Sequence, residues 1–202
     1  MLNIFKILSF VFLTSGCARL FGWEIHAPGL VSQGFYETVS TADQRVALFV
    51  RPELFQYQSL DRGSRFADPQ TFYIGEALGP ILLEAFEHAF RDFIFMEVKP
   101  DEKILQQYAV NYLVFVDLKG FNNAVTLKGQ KIELSLYAEV YDSNLGLLAA
   151  LEVEGTSDAF KVFAKKGGPE VNLNAAIENA VSSLVLFLQD GMRTNHWAND
   201  EE

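Results

Sequence analysis

Three side chains with metal-binding chemistry follow one another at intervals of four residues near the middle of the sequence. They are Glu84, His88 and Asp92. On a helix this spacing places them on one face, where they could hold a metal ion with a further ligand from another element. The more economical interpretation is a solvated helix surface, with Glu84 paired to His88 and Glu87 to Arg91. We therefore expect neither a metal nor a cofactor.

Motifs of common enzymes are absent from the sequence. It has no Gly-Lys-Ser/Thr phosphate loop, no Gly-x-Gly-x-x-Gly after a predicted strand and no Gly-x-Ser-x-Gly. The three histidines are predicted on a tether, a helix and a tail, which is a poor arrangement for a triad: His26, His88 and His196. Four carboxylates are predicted on an exposed sheet face, where they favour solubility over acid–base catalysis: Glu133, Glu139, Glu152 and Glu154. We expect no enzymatic activity.

Aromatic side chains mark a candidate interaction surface. Tyr137 and Tyr141 are predicted on the same exposed sheet face as the carboxylates, and the long loop 52–72 contains Arg65 and Phe66. Tyrosine, phenylalanine and arginine are enriched where proteins contact one another. The alternative is that the loop packs flat on the domain and covers the sheet face itself.

The overall charge limits the partners. The 202 residues carry a formal net charge of -10, and half of them are hydrophobic. An acidic chain is unsuited to nucleic acid or to electrostatic docking on anionic lipids, because both need clustered lysine and arginine. Any membrane association must therefore come from apolar insertion or from a covalent lipid. The composition is compatible with a homo-oligomer.

The first 16 residues are predicted to be a secretory signal peptide. Lys6 precedes most of a short apolar run, and the small residues Thr14, Ser15 and Gly16 lead to Cys17. The run is too short to span a bilayer, which takes about 20 residues. An ordinary secreted protein and an uncleaved N-terminal anchor are the alternatives.

The stretch Leu13-Thr14-Ser15-Gly16-Cys17 resembles the bacterial lipobox. The resemblance implies a lipoprotein in which the thiol of Cys17 receives diacylglycerol and the new amino group is acylated, with palmitate as the expected fatty acid. Two or three acyl chains hold a protein stably on a membrane. The same resemblance implies the outer membrane facing the periplasm, because Ala18 stands where a lipoprotein retained at the inner membrane has Asp.

The remaining patterns predict one α+β domain over 45–192, after a lipidated tether over 17–44 and before a flexible polar tail over 193–202. In the tether, Leu20, Phe21 and Trp23 either touch the membrane interface or fold back onto the domain. The predicted order is strand, helix, strand, strand, strand, helix. The segments are a strand over 45–50, a helix over 74–94, a strand over 109–119, a hairpin of 130–141 with 147–156, and a helix over 173–189.

The simplest fold for this order of strands and helices is an α+β fold, in which both helices pack on one face of a mixed, mostly antiparallel sheet. A lipidated domain with this order is similar to envelope lipoproteins of lipopolysaccharide assembly, ring-forming secretion and polysaccharide export. This resemblance implies a non-enzymatic assembly, transport or secretion accessory that binds an envelope protein partner. The alternative is a small-ligand or lipid-binding module, or a cryptic hydrolase, that uses space between helices and sheet.

Overall fold

The computed structural model describes residues 22–63, 68–127, 129–157 and 168–194, together with Trp197. The fold is α+β, as the sequence predicts. In chain order the elements are β1 (Trp23–Ile25), α1 (Gln33–Thr38), β2 (Ala42–Val50), a 3-10 helix (Pro52–Gln56), β3 (Ser59–Asp61), β4 (Gln70–Phe72), α2 (Ile74–Ala89), β5 (Phe90–Met96), α3 (Glu102–Gln107), β6 (Tyr112–Thr126), β7 (Gly129–Asp142), β8 (Leu147–Ser157) and α4 (Pro169–Thr194). The signal peptide predicted over 1–16 and Cys17 lie outside the described residues.

A five-stranded sheet forms the centre of the fold, in the order β5-β2-β6-β7-β8. β2 is parallel to both β5 and β6, whereas β6, β7 and β8 are antiparallel. The predicted mixed sheet is confirmed: two of its four strand pairings are parallel and two are antiparallel, and the antiparallel pairings are the longer ones. The predicted hairpin is confirmed, and its turn is closed by Asp142, which accepts hydrogen bonds from the backbone of Asn144 and Gly146.

The predicted helix over 74–94 is two elements. It ends at Ala89, and the next seven residues form the parallel edge strand β5 beside β2. Phe90, Phe93 and Ile94 continue the helical spacing of apolar residues, but aromatic and β-branched side chains fit a half-buried strand better than a helix. The predicted element order consequently lacked one strand of the main sheet.

Helices α2 and α4 pack on one face of the sheet, as predicted, and their apolar residues are buried with alternate residues of the strands. Val46, Leu48 and Val114 point to this side. The opposite face carries a smaller cluster at one corner, where Leu105 of the short helix α3 covers Phe49. The α4 helix is long and apolar enough to span a membrane by length and composition, but half of that apolar stretch is buried in the fold.

The described part of the predicted tether is packed on the domain. β1 pairs with β4, which also pairs with β3 to form a second, three-stranded sheet. Phe35 of α1 and Ile25 of β1 are buried in the main core. Leu30 exchanges two backbone hydrogen bonds with the Asn174 side chain, and Ser32 bonds Glu178. Buried apolar side chains and these bonds to α4 therefore hold the segment on the domain. Its glycines and proline had led to the prediction of a tether.

The described part of loop 52–72 packs on the domain, and α4 extends into the segment that was predicted to be a polar tail. The 3-10 helix, β3 and β4 lie within the loop, and Phe55 packs so closely on α2 that only glycine fits at Gly75 and Gly79. At the other end α4 continues to Thr194, and Trp197 packs on Phe187. The apolar side chains of both segments have no regular spacing in the sequence, so their packing on the domain depends on tertiary contacts.

Candidate partner-binding face of the large sheet

The strict alternation of β7 creates the candidate site. Ile132, Leu134, Leu136, Ala138 and Val140 are buried on the helix side. The intervening residues, which include Tyr137, Glu139 and Tyr141, are only partly buried on the other side. Because successive side chains of a strand point to opposite faces, the sequence determines this separation directly. We call the side opposite to α2 and α4 the open face.

One carboxylate joins the two predicted tyrosines. The Tyr137 hydroxyl donates to Oε1 of Glu139 at 3.0 Å, and the Tyr141 hydroxyl donates to Oε2 at 2.6 Å. The three residues occupy alternate positions of β7, so their side chains stand in a row on the open face. Both carboxylate oxygens thus accept from tyrosines, which holds the two rings in a fixed arrangement.

Residues of neighbouring strands extend this row. Phe115 lies beside Glu139 on β6, and Asp117 lies beside Tyr137. Arg51 forms an ion pair with Asp117, and its guanidinium lies 5.9 Å from the centre of the Phe115 ring. This group was not predicted, because the run over 109–119 is apolar enough on both faces to resemble an interior strand. The signal was the two-residue spacing of Phe115 and Asp117.

The environment of the tyrosines keeps their hydroxyls protonated. Burial, followed by the hydrogen bond and charge of Glu139, raises the pKa of Tyr141 to about 12. The hydrogen bond to Glu139, followed by burial, also raises the pKa of Tyr137. The hydroxyl hydrogens of both tyrosines are already bound to Glu139, so toward another protein these residues offer hydroxyl oxygens as acceptors and apolar ring surface.

The open face has two different borders. Toward the start of β6, Tyr141 and Phe115 pack against the small cluster covered by α3. Toward β8 the face becomes acidic, with Glu152 beside Tyr137 and Glu154 beside Ser135. The described part of loop 52–72 lies on the helix side, where its Phe72 is buried in the main core. Within the described residues, this loop therefore does not cover the tyrosines.

The other predicted site residues fall in three places. Arg65, Phe66 and Cys17 lie outside the described residues. Glu84 accepts a hydrogen bond from the Tyr36 hydroxyl, and Nε2 of His88 lies 2.9 Å from the carbonyl oxygen of Val39. Both partners belong to α1 and the residue that caps it, so tertiary contact replaces the helix-surface pairing predicted for these two residues.

Asp92 separates from the other two candidate ligands because it lies on β5 rather than on the helix. Its carboxylate is 3.4 Å from the guanidinium of Arg45, and the neighbouring Arg91 pairs with Asp43 at 2.9 Å instead of with Glu87. Among the residues that the structure describes, no three His, Cys, Asp or Glu side chains are grouped to hold a metal. The spacing of four therefore does not produce a metal site.

A surface groove lies away from the open face, between the start of β2 and the last turns of α4. Its volume is about 600 Å3. It is lined by Ser40, Thr41, Ala42, Asp43, Gln44, Leu186, Gln189, Asp190, Met192 and Arg193. Both ion-pair partners Asp190 and Arg193 belong to α4 and are exposed. The groove combines apolar side chains such as Leu186 and Met192 with polar ones, which is the chemistry of small-ligand sites.

Neither a protein-family model nor a curated protein sequence matches the chain. Among solved structures, it resembles the hypothetical protein CT253 from Chlamydia trachomatis, with a TM-score of 0.49, 8% identity and coverage of 77% of this chain and 100% of that one. It also resembles the PelC dodecamer from Paraburkholderia phytofirmans (TM-score 0.35, 11% identity, 71% and 90% coverage). A third is the lipoprotein GNA1162 from Neisseria meningitidis (TM-score 0.34, 9% identity, 75% and 99% coverage). Likenesses at this level assign neither a family nor a function.

Proposed function

We propose that the chain is a bacterial lipoprotein, held by lipid on Cys17 in the outer membrane and facing the periplasm. There it acts without enzymatic activity as an accessory of assembly, transport or secretion, by binding an envelope protein through the open face. The single observation that carries the binding role is the row of Tyr137, Glu139 and Tyr141, which is partly exposed on the open face and held in place by two hydrogen bonds.

The anchoring part of the proposal is supported by the sequence around Cys17. It is the only cysteine, it follows small residues and a short apolar run, and the chain has a net charge of -10. A protein without a basic surface gains little from anionic lipid headgroups. Acyl chains contribute about 0.8 kcal/mol for each buried CH₂ group, so two or three of them hold the chain firmly.

The binding part is supported by the chemistry of the open face. Tyrosine rings bury large areas at small entropic cost, and an arginine stacked near Phe115 adds a second recognition group. Because Glu139 already holds Tyr137 and Tyr141 in place, these side chains lose little further freedom when a partner binds. The acidic border at Glu152 favours a partner with basic residues there.

The anchor is tested by mass spectrometry of the N-terminal peptide from protein purified from bacterial membranes. We expect Cys17 to be the first residue and to carry diacylglycerol and a further acyl chain. The Cys17→Ser variant loses the lipid and is left unprocessed or in the soluble fraction. Palmitate incorporated into Cys17→Ser would overturn this part.

The binding role is tested by affinity capture from detergent-solubilised envelope, with the lipid anchor intact. We expect one envelope protein to be captured by the native chain and lost with Tyr137→Ala and with Glu139→Lys. Tyr57→Ala is the matched control, since Tyr57 is an exposed tyrosine (41%) beside the start of α2, on the other side of the sheet. Equal capture by all variants, with unchanged thermal unfolding, would reject the open face as the binding site.

A small-ligand module remains the second candidate, and the groove beside Leu186 is the observation that favours it. Native mass spectrometry of the purified protein distinguishes the two functions. A bound metabolite or lipid that is lost with Leu186→Glu, together with no captured protein, would favour the module. The space between α2 and the sheet is an unsuitable ligand site, because Phe86 and Phe90 are fully buried there.

A further inference from the structure

The chain enters the fold at the end of the molecule where the β6–β7 hairpin turns. β4 runs from Gln70, which contacts Asn123, to Phe72, which packs on Phe121 with 5.0 Å between ring centroids. β4 therefore runs opposite to β6. Because β1 is parallel to β4, with Trp23 beside Gln70, β1 begins at the end of the strand that is nearer the hairpin turn. We call this end of the molecule the hairpin end.

A network of buried amide side chains makes the hairpin end rigid. Nε2 of Gln130 donates to Asn123 at 2.7 Å and to Gln70 at 3.3 Å. Nδ2 of Asn172 donates to the Gln130 carbonyl at 2.8 Å, and its Oδ1 accepts from Ser157 at 3.0 Å. Gln130 and Asn172 are 3% and 0% exposed. The network joins the small sheet, the hairpin and the first turn of α4.

Three apolar side chains at the hairpin end are exposed to solvent. They are Trp23 in β1, Leu127 in the hairpin turn and Val171 in the first turn of α4, exposed by 61%, 72% and 47%. Single exposed apolar residues are ordinary on protein surfaces. Three of them on separate elements, all at the end where the chain enters the fold, are suited to an apolar contact.

The position of Cys17 determines which surface lies near a membrane. It precedes Trp23 by six residues, so a lipid on Cys17 is attached within about 22 Å of Trp23 even when the connecting chain is fully extended. The opposite end of β7, at Asp142, lies about 43 Å along the strand from Gly129. The lipid therefore brings the hairpin end, rather than the far end, to the bilayer.

We propose that Trp23, Leu127 and Val171 contact a phospholipid bilayer at its interface, so that the domain stands with its hairpin end on the membrane. The inference rests on the lipidation of Cys17 proposed above. Tryptophan is suited to the interface, and leucine and valine gain from leaving water. Glu24 and Glu170 are next to Trp23 and Val171 in the chain, and Lys131 near the turn is paired with Glu133. The described charges around the group therefore do not favour anionic lipid, and we expect the contact to be apolar. Tyr137 then lies about 26 Å from the hairpin turn, measured along β7, and the open face is accessible to a protein partner.

The test is quenching of tryptophan fluorescence by brominated phospholipids in vesicles that carry the lipidated protein. Trp23 is observed alone in Trp197→Phe, and Trp197 is observed alone in Trp23→Phe. Trp197 is the internal control, because it contacts Tyr112 at the far end of β6. We expect quenching of Trp23 and none of Trp197, unchanged between zwitterionic vesicles and vesicles with phosphatidylglycerol.

Two further variants make the test specific to the hairpin end. Leu127→Glu should reduce the quenching of Trp23 by roughly half or more, because a carboxylate opposes insertion of the turn. Leu147→Glu should leave the quenching of Trp23 unchanged. Leu147 is a similarly exposed leucine (58%), but it lies beside Tyr141, at the end of β7 opposite to the hairpin end. Equal quenching of Trp23 and Trp197, or no quenching in vesicle-bound protein, would overturn the proposal.

Failure of the anchor is recognised separately. If the purified chain carries no lipid, the proposed function fails, and Cys17 is then coupled to a maleimide-bearing phospholipid in the same vesicles. The quenching of Trp23 relative to Trp197 in that preparation still supports or overturns contact through the hairpin end.

Discussion

The Tyr141 hydroxyl donates a 2.6 Å hydrogen bond to Glu139 on the open face of the large sheet. The two side chains belong to alternate positions of β7, so their contact requires only the extended strand. Tyr137 donates to the other oxygen of the same carboxylate. This arrangement makes the protonation of Tyr141 a measure of whether the row is intact.

We expect Glu139→Gln to lower the pKa of Tyr141 from about 12 toward its ordinary value of 10. Burial is the larger cause of the shift, so the pKa should remain above 10 in the variant. Titration followed by tyrosinate absorbance measures it, with Tyr141→Phe identifying the signal. A pKa unchanged by Glu139→Gln would show that the hydrogen bond is absent in solution.

The same shift predicts how stability changes at high pH. The pKa of Tyr141 is higher in the folded protein than in the unfolded chain, so the neutral hydroxyl stabilises the folded state. Its contribution to the free energy of unfolding is fully present below pH 10. This contribution is lost as the pH rises from 10 through about 12. Urea unfolding between these pH values should show a shallower decrease in stability for Tyr141→Phe than for the native chain.

Asn172 is predicted to be far more important to stability than its neighbour on α4, Asn179. Asn172→Ala removes two hydrogen bonds in a buried site, one to the Gln130 carbonyl and one from the Ser157 hydroxyl, which costs about 3 kcal/mol. Asn179 also donates to a backbone carbonyl, that of Thr156, but at an exposed position. Asn179→Ala should cost about 1 kcal/mol or less. Equal losses in urea unfolding would contradict the buried network.

Gly155 is predicted to tolerate no side chain. It lies in β8 where α4 approaches most closely, and a Cβ there would overlap the carbonyl of Ala176 and the backbone nitrogen of Ala180. Gly155→Ala should destabilise the fold by about 3 kcal/mol, because backbone atoms must move. Gly120→Ala, in open space on β6, should change stability by less than about 0.5 kcal/mol. Thermal unfolding of both variants measures the difference.

His26 is predicted to report docking of the segment before α1. Its imidazole stacks on Tyr73 with 4.1 Å between centroids, and Nδ1 lies 2.7 Å from Glu76. The hydrogen bond to Glu76 raises the pKa of His26 above 6.5. The bonded imidazolium therefore favours the folded state below pH 6.5, and this effect is lost as the pH rises through the pKa of His26. NMR titration should show a lower pKa in Glu76→Gln, and an identical pKa would indicate an undocked segment.

The sequence by itself determined the features that depend on local periodicity. The alternation of β7 places Tyr137 and Tyr141 on one face and Leu136 on the other, and no tertiary contact is needed to predict it. The apolar stripes of α2 and α4 likewise predict two helices on one side of a sheet. The prediction of lipid on Cys17 depends on local order alone, and it remains a prediction.

Only the tertiary structure decided the features that depend on distant partners. Phe90–Met96 has apolar residues at helical spacing, and it becomes a strand because β2 offers an edge with which it pairs in parallel. Arg51 meets Asp117 because β2 and β6 are neighbours, although 65 residues separate them in the chain. Trp23 belongs to the hairpin end only through the pairing of β1 with β4. Such pairings depend on hydrogen bonds and burial between remote segments, which no local pattern in the sequence encodes.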